Sequence, residues 1–259
     1  MKDKKKPFGY TVVEVMIVLA VSGMMFVVAA TFINGKQAKT SFSTGVNETA
    51  SRIQDTIEQV NRGKYSDIRL NCVLSGSTVS VTAGTGTTPQ GANPPCVFIG
   101  KFLHFSVAGD RQQYEIFSLA GLRDKTTLDT AGVTTINNGA ADLTVSAKIP
   151  QGLQVESVKV NGTPSYGFGF AQGLGSASAD GYGYESGSQN ISLISASGLT
   201  DSLASNDAAS QITGSNLNSD KPKKVVICLT DGTRYATITL GDNDNELIAR
   251  TKLGLSSCP

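Results

Sequence analysis

The stretch KKKPFGYTVVEVMIVLAVSG, Lys4 to Gly23, governs how the rest of the chain is read. It opens a run of 24 residues, Tyr10 to Ile33, in which Glu14 is the sole charge. As an α-helix such a run is about 36 Å long, enough to cross a hydrocarbon core of about 30 Å. Four lysines (Lys2, Lys4, Lys5 and Lys6) precede it and favour a cytoplasmic N-terminus, while Lys36 and Lys39 beyond it work against that bias. Glu14 is the anomaly. An ionisable group at membrane depth costs a few kcal/mol even on lenient insertion scales, so its presence marks a candidate functional residue.

A basic start, an apolar run and the small residues Val28-Ala29-Ala30 also describe a cleaved secretory signal, and the run alone describes a plain anchor. Neither uses a carboxylate. The string PFG followed by YTVVEVMIVLAVSG resembles the N-terminal segment of type IV pilins and of the pseudopilins of type II secretion. That family has a short basic leader ending in Gly, then an aromatic or apolar residue, then Glu at the fifth mature position. Gly9, Tyr10 and Glu14 fit, with Tyr10 standing where Phe is usual, and the likeness covers residues 1 to about 34.

The resemblance implies an α+β, pilin-like fold: a long N-terminal helix, membrane-spanning in its first half, packed on a β-rich antiparallel head. It divides the chain into a leader (1–9), a transmembrane or filament-core helix (10–33), an amphipathic continuation (34–62) and an extracytoplasmic head (63–259). It also implies a life history. A prepilin peptidase would cut between Gly9 and Tyr10 and methylate the new terminus. The helix would wait in the lipid bilayer at an inner-membrane assembly platform, then join other pilin subunits in a filament on the cell surface. There Glu14 would pair with the Tyr10 ammonium of a neighbour, each charge offsetting the desolvation of the other. Ser22-Gly23 falls where related helices unwind, although close packing at a small residue explains a glycine there equally well.

Beyond Ile33 the apolar residues Phe42, Val46, Ala50, Ile53, Ile57 and Val60 recur every three or four positions, one stripe of an amphipathic helix ending near Arg62-Gly63. Asn34-Gly35 and Gly45 are points where this helix could bend. The remainder reads as strands: Ser77–Thr82, Cys96–Val107, Gln112–Leu119, and Asp142–Ile149 with Leu143, Val145, Ala147 and Ile149 on one face. Lys224–Leu240 reads as a hairpin turning at Asp231-Gly232 through a type I′ turn. Tyr166–Ser188 and Ser197–Pro222, rich in Gly, Ser, Asn and Asp, read as long exposed loops.

Composition agrees with an exported, loop-rich domain: charged residues are 17%, there are 28 Gly and no Trp. Residues 1–9 hold four Lys and one Asp, a charge of +3, leaving 18 basic and 20 acidic side chains elsewhere, or −2. A body so nearly neutral gives no electrostatic case for nucleic acid. Four cysteines, Cys72, Cys96, Cys228 and Cys258, allow three pairings, of which proximity favours Cys72–Cys96 and Cys228–Cys258. The second pairing also resembles the disulfide-closed C-terminal region of many pilins.

Other signals are weaker. GFGFAQG (Gly167–Gly173) misses the dinucleotide-binding spacing by one residue and lacks its strand–helix context. His104, the single histidine, reads as structural. Asp242, Asp244 and Glu246 alternate as oxygen ligands of a calcium loop do, although Leu247 stands where such a loop needs Gly. Calcium is therefore the one cofactor raised, against a plain solvated turn. Tyr166, Phe168, Phe170, Tyr182 and Tyr184 either stack on a ligand or close over the core. No catalytic set is recognisable. The expected function is a structural subunit of a type IV pilus-like filament, a minor or adhesive one by the size of its head, with no ligand of the head specified. The alternatives are a membrane-anchored extracytoplasmic binding module that does not polymerise, and a pseudopilin of a type II secretion system.

Overall fold

A computed structural model describes residues 10–62, 68–75, 78–87, 96–122, 134–135, 144–172, 191–201, 212, 217–218, 224–241 and 247–259. One helix, α1 (Val12–Asn61), leads into fourteen strands among the described residues, so the chain is α+β with a long apolar N-terminal helix and antiparallel sheets. It divides into two compact units, 1–43 and 44–259, so the head unit takes in the last turns of α1.

In the first unit α1 continues without a break through Ser22-Gly23. Within the head unit the apolar stripe of α1 behaves as its period requires: Val46, Ala50, Ile53, Ile57 and Val60 are all buried. Gly45 serves close approach. A Cβ there would stand 2.9 Å from Leu153 Cδ1 and 3.1 Å from the Pro150 carbonyl oxygen, in the 3-10 turn Pro150–Gly152. Gly45→Ala gains about 1 kcal/mol of helix propensity against this crowding. Gly45→Val, whose branches cannot avoid the turn, is expected to lose about 1–3 kcal/mol by overpacking, read as a lower melting temperature of the full chain in detergent. A valine variant as stable as the alanine variant would remove the close approach as the reason for this glycine.

The first strands are β1 (Ile68–Ser75) and β2 (Thr78–Thr87), an antiparallel pair. A seven-stranded sheet is built from β3 (Cys96–Phe105), β4 (Gln113–Leu122), β5 (Thr134–Thr135), β6 (Thr144–Lys148), β9 (Gly167–Gln172), β10 (Ile191–Ala196) and β11 (Leu217–Asn218). Its order is β11-β10-β9-β3-β4, with β5 and β6 both pairing on β4. The second sheet has the order β14-β13-β12-β7-β8, from β7 (Gln154–Val160), β8 (Thr163–Pro164), β12 (Val225–Thr230), β13 (Tyr235–Leu240) and β14 (Arg250–Leu255).

Register assigns two faces to the larger sheet. Leu103, Phe105, Tyr114, Phe168 and Phe170 share one face. On it the rings stack: Phe105 with Tyr114 at 5.2 Å and with Phe168 at 5.7 Å, while Phe168 meets Phe170 edge-on at 5.7 Å. The helix lies over this face, with Lys101 Nζ donating to Gln59 Oε1 at 2.5 Å and Arg52 donating to the Lys148 carbonyl at 2.9 Å. On its other flank Gln54 Oε1 accepts the Ala249 N–H at 3.2 Å, just ahead of β14. The opposite face carries a second apolar cluster, Phe102, Phe117, Leu119, Ala171 and Ile194, covered by Leu199, Ile212 and Leu217.

Several expectations change. Tyr166–Ser188 does not begin as a loop: Gly167–Gln172 is an inner strand between β3 and β10. Its glycines make room for Phe102, since a Cβ on Gly167 or Gly169 would stand 2.6 or 2.8 Å from that ring. Val145 is 45% exposed although its strand alternates, because β6 lies at the sheet's margin. The Lys224–Leu240 hairpin is present, but its turn sits one residue later. Asp231 N–H bonds to the Arg234 carbonyl, leaving Gly232-Thr233 at the centre. Gly232 alone has positive φ (90°), which fits type II′ and not I′. Asp231 Oδ1 fixes this by accepting the Thr233 and Arg234 N–H groups at 2.9 and 2.8 Å. The two-residue turn with both φ positive is Asn161-Gly162 (51° and 83°), between β7 and β8.

Candidate functional site

The N-terminal site starts with Thr11. Its hydroxyl accepts the Glu14 N–H at 3.3 Å, and its carbonyl accepts the Val15 N–H at 3.2 Å. Thr11 is thus the N-cap of α1, and Glu14, at the third helical position, supplies the backbone N–H that it caps. A carboxylate in the first turn also complements the positive end of the helix dipole. The Glu14 carboxylate therefore has a local electrostatic role at the helix start that the membrane reading of the sequence overlooked.

Tyr10 is 81% exposed. From Val12 to Val28 the apolar side chains are exposed all round the helix, Phe26 at 75% and Met24 at 74% among them. The helix is long and apolar enough to span a membrane, with a mean hydropathy of 2.5 over its most apolar window. A Cβ on Gly23 would meet nothing within 4 Å among the described residues. Gly9 lies outside the described residues, as do Asp242, Asp244 and Glu246 of the calcium reading and Tyr182 and Tyr184 of the aromatic cluster. Among the described residues no group of three acidic, His or Cys side chains is placed to hold a metal.

Cys228 and Cys258 form a disulfide, as expected from their proximity. It draws the C-terminal segment across the second sheet, over Cys228, which is fully buried, and next to buried Thr237 on β13. The side chains of Cys72 and Cys96 lie outside the described residues. Phe168 and Phe170 are fully buried, so these two aromatics close the core and do not form a ligand platform.

A buried polar group sits elsewhere, at the end of the larger sheet. His104 on β3 and Glu115 on β4 are register partners, and both are buried. His104 Nε2 lies 2.9 Å from the Thr200 carbonyl, which can only accept, so Nε2 carries the proton. Burial lowers the imidazole's affinity for a second proton, with the Thr200 carbonyl and the Asp201 charge acting the other way. Burial raises the Glu115 pKa above its ordinary value. Among the described residues no serine, threonine or cysteine side chain is hydrogen-bonded to the imidazole, whose contact is the Thr200 carbonyl.

No protein-family model, curated protein or solved structure matches the chain. The fold is that of an α+β protein, a long exposed apolar helix leading into antiparallel sheets.

Proposed function

We propose that the chain is a structural subunit of a type IV pilus-like filament, held in the bilayer by α1 before assembly and packed through the same helix afterwards. The observation that carries this is the helix itself: one whose apolar residues from Val12 to Val28 are exposed on every side needs an apolar surround. Lipid supplies that surround at one stage and neighbouring helices at the next. A membrane anchor alone accounts for the apolar surface but leaves the Glu14 charge with only the helix dipole to complement. Filament packing adds a partner charge, the ammonium that cleavage after Gly9 would place on Tyr10.

The mature N-terminus separates the readings. Mass spectrometry is expected to find a methylated Tyr10, whereas an intact Met1 would support a plain anchor and a start near Thr31 ordinary secretion. Glu14→Val should leave membrane insertion unchanged and reduce incorporation into filaments to background. Glu14→Gln removes the charge while keeping the side chain's size and the backbone N–H that Thr11 caps. Should both variants assemble like the parent, the charge pair has no part in assembly.

A further inference from the structure

A set of hydrogen-bonded titratable groups lies where the chain leaves β10. Leu199 is seated in the apolar cluster with Phe102, Phe117 and Ile194. The Thr200 carbonyl accepts from His104. Asp201 then takes three backbone N–H groups of the β3–β4 turn: Val107 at 2.6 Å, Ala108 at 2.7 Å and Gly109 at 3.2 Å. Ser106 Oγ supplements the last at 2.9 Å. Three consecutive residues thus tie this segment to β3 and its turn by one apolar anchor and four hydrogen bonds. Within this tight arrangement His104 Nδ1 and Glu115 Oε2 are buried and have no partner among the described residues.

We propose that Leu199–Asp201 is an acid-released strap, in which uptake of a second proton by His104 at Nδ1 detaches the segment from β3 and the β3–β4 turn and uncovers the apolar cluster beneath Leu199.

The charged and titratable neighbours of the imidazole decide the direction. From β4 it faces Glu115, from the strap Asp201, and from β9 Gly167, which carries no charge. Burial raises the Glu115 pKa, so it is a weaker counter-ion than an exposed carboxylate. Asp201 is committed to the turn amides. An imidazolium formed in place would be a desolvated cation without a dedicated partner. Opening the strap hydrates it. The closed state therefore has the lower His104 pKa, the ordinary value being 6.5. It is fully favoured above that value and loses its advantage as pH falls through the depressed one. Glu115 acts in the opposite sense: its raised pKa stabilises the closed form most below about 4.5 and less as pH rises through the raised value.

His104 is the chain's single histidine, so one labelled imidazole resonance reports its titration in the full chain in detergent micelles. Hydrogen exchange at Val107–Gly109 reports the strap. Corrected for intrinsic rates, protection there should fall by about tenfold or more between about pH 7 and pH 5, with the midpoint of the imidazole. His104→Gln, which keeps an amide donor for Thr200 but cannot become charged, should show no such fall, and Glu115→Gln should retain it. Protection that rises as the imidazole titrates would mean that the cation closes onto Glu115, and the proposal fails. It fails equally if the fall has a different midpoint, persists in His104→Gln or vanishes in Glu115→Gln. If His104→Gln does not fold, comparing the two midpoints in the unmodified chain still decides the matter.

Discussion

Phe102→Ala is expected to destabilise the head by about 3–5 kcal/mol, near the upper end of what a single core truncation costs. Phe102 is fully buried at the centre of the larger sheet, cross-strand from Phe117 on β4 and from Gly169 on β9. The absence of side chains at Gly167 and Gly169 leaves the surface on which its ring lies. Removing the ring therefore opens a cavity within the cluster of Phe117, Leu119 and Ile194, and on that face β9 has only Gly167, Gly169 and Ala171, too small to fill it. Gly169→Ala is expected to cost about 1–3 kcal/mol by itself, because its methyl would meet the ring at 2.8 Å and the Lys101 carbonyl at 2.7 Å. The two changes together should cost less than their sum, since the methyl enters space that the ring vacates. Chemical unfolding of the three variants gives the cycle. Additivity within about 0.5 kcal/mol would mean that ring and glycine do not share that space.

The same glycines show where the sequence stops being legible. Local preference counts Gly against a strand, and GFGF read as loop for that reason. What makes it a strand is a phenylalanine 65 or more positions away, invisible to any window. By contrast α1 was legible from end to end because its pattern is local: an unbroken apolar run, then a stripe every three or four residues. The β3, β4 and β12–β13 strands were legible from their apolar and β-branched content. Turns were half legible. Asp231-Gly232 announced a hairpin, but the carboxylate's bonds to Thr233 and Arg234 moved its centre by one residue. Asn161-Gly162 carried the stronger signal and formed the turn with both φ positive, yet the short strand after it gave no alternation to notice. Of the sites, Glu14 stood out by its charge, whereas its Thr11 partner needed the capping geometry. The His104–Thr200–Asp201 arrangement joins residues more than 90 positions apart, and no spacing rule reaches that far.

Replacing Cys228 and Cys258 together by Ala is expected to cost about 2–5 kcal/mol, the range for native disulfides of exported domains. The bond closes a separation of 30 residues, for which the chain-entropy picture gives about 3–4 kcal/mol. The consequence should be uneven. β14 is an edge strand whose side chains are largely exposed, and among the described residues β13 is its only ladder partner. Beyond that pairing it is secured by Asn47 against Thr251, by Gln54 against Ala249, and through the chain end by Lys159 donating to the Pro259 carbonyl. These are exposed or half-buried polar contacts worth little singly. Without the disulfide β14 should exchange its amides first, while β12, held on both sides by β7 and β13 and buried at Val225, Ile227 and Leu229, keeps its protection. For a loss of about 3–4 kcal/mol the melting temperature should fall by about 6–16 °C, following the usual 2–4 °C per kcal/mol for a head of this size. A fall of less than about 2 °C, or loss of protection across β12 as early as in β14, would show that the strand is secured by its side chains and not by the cross-link.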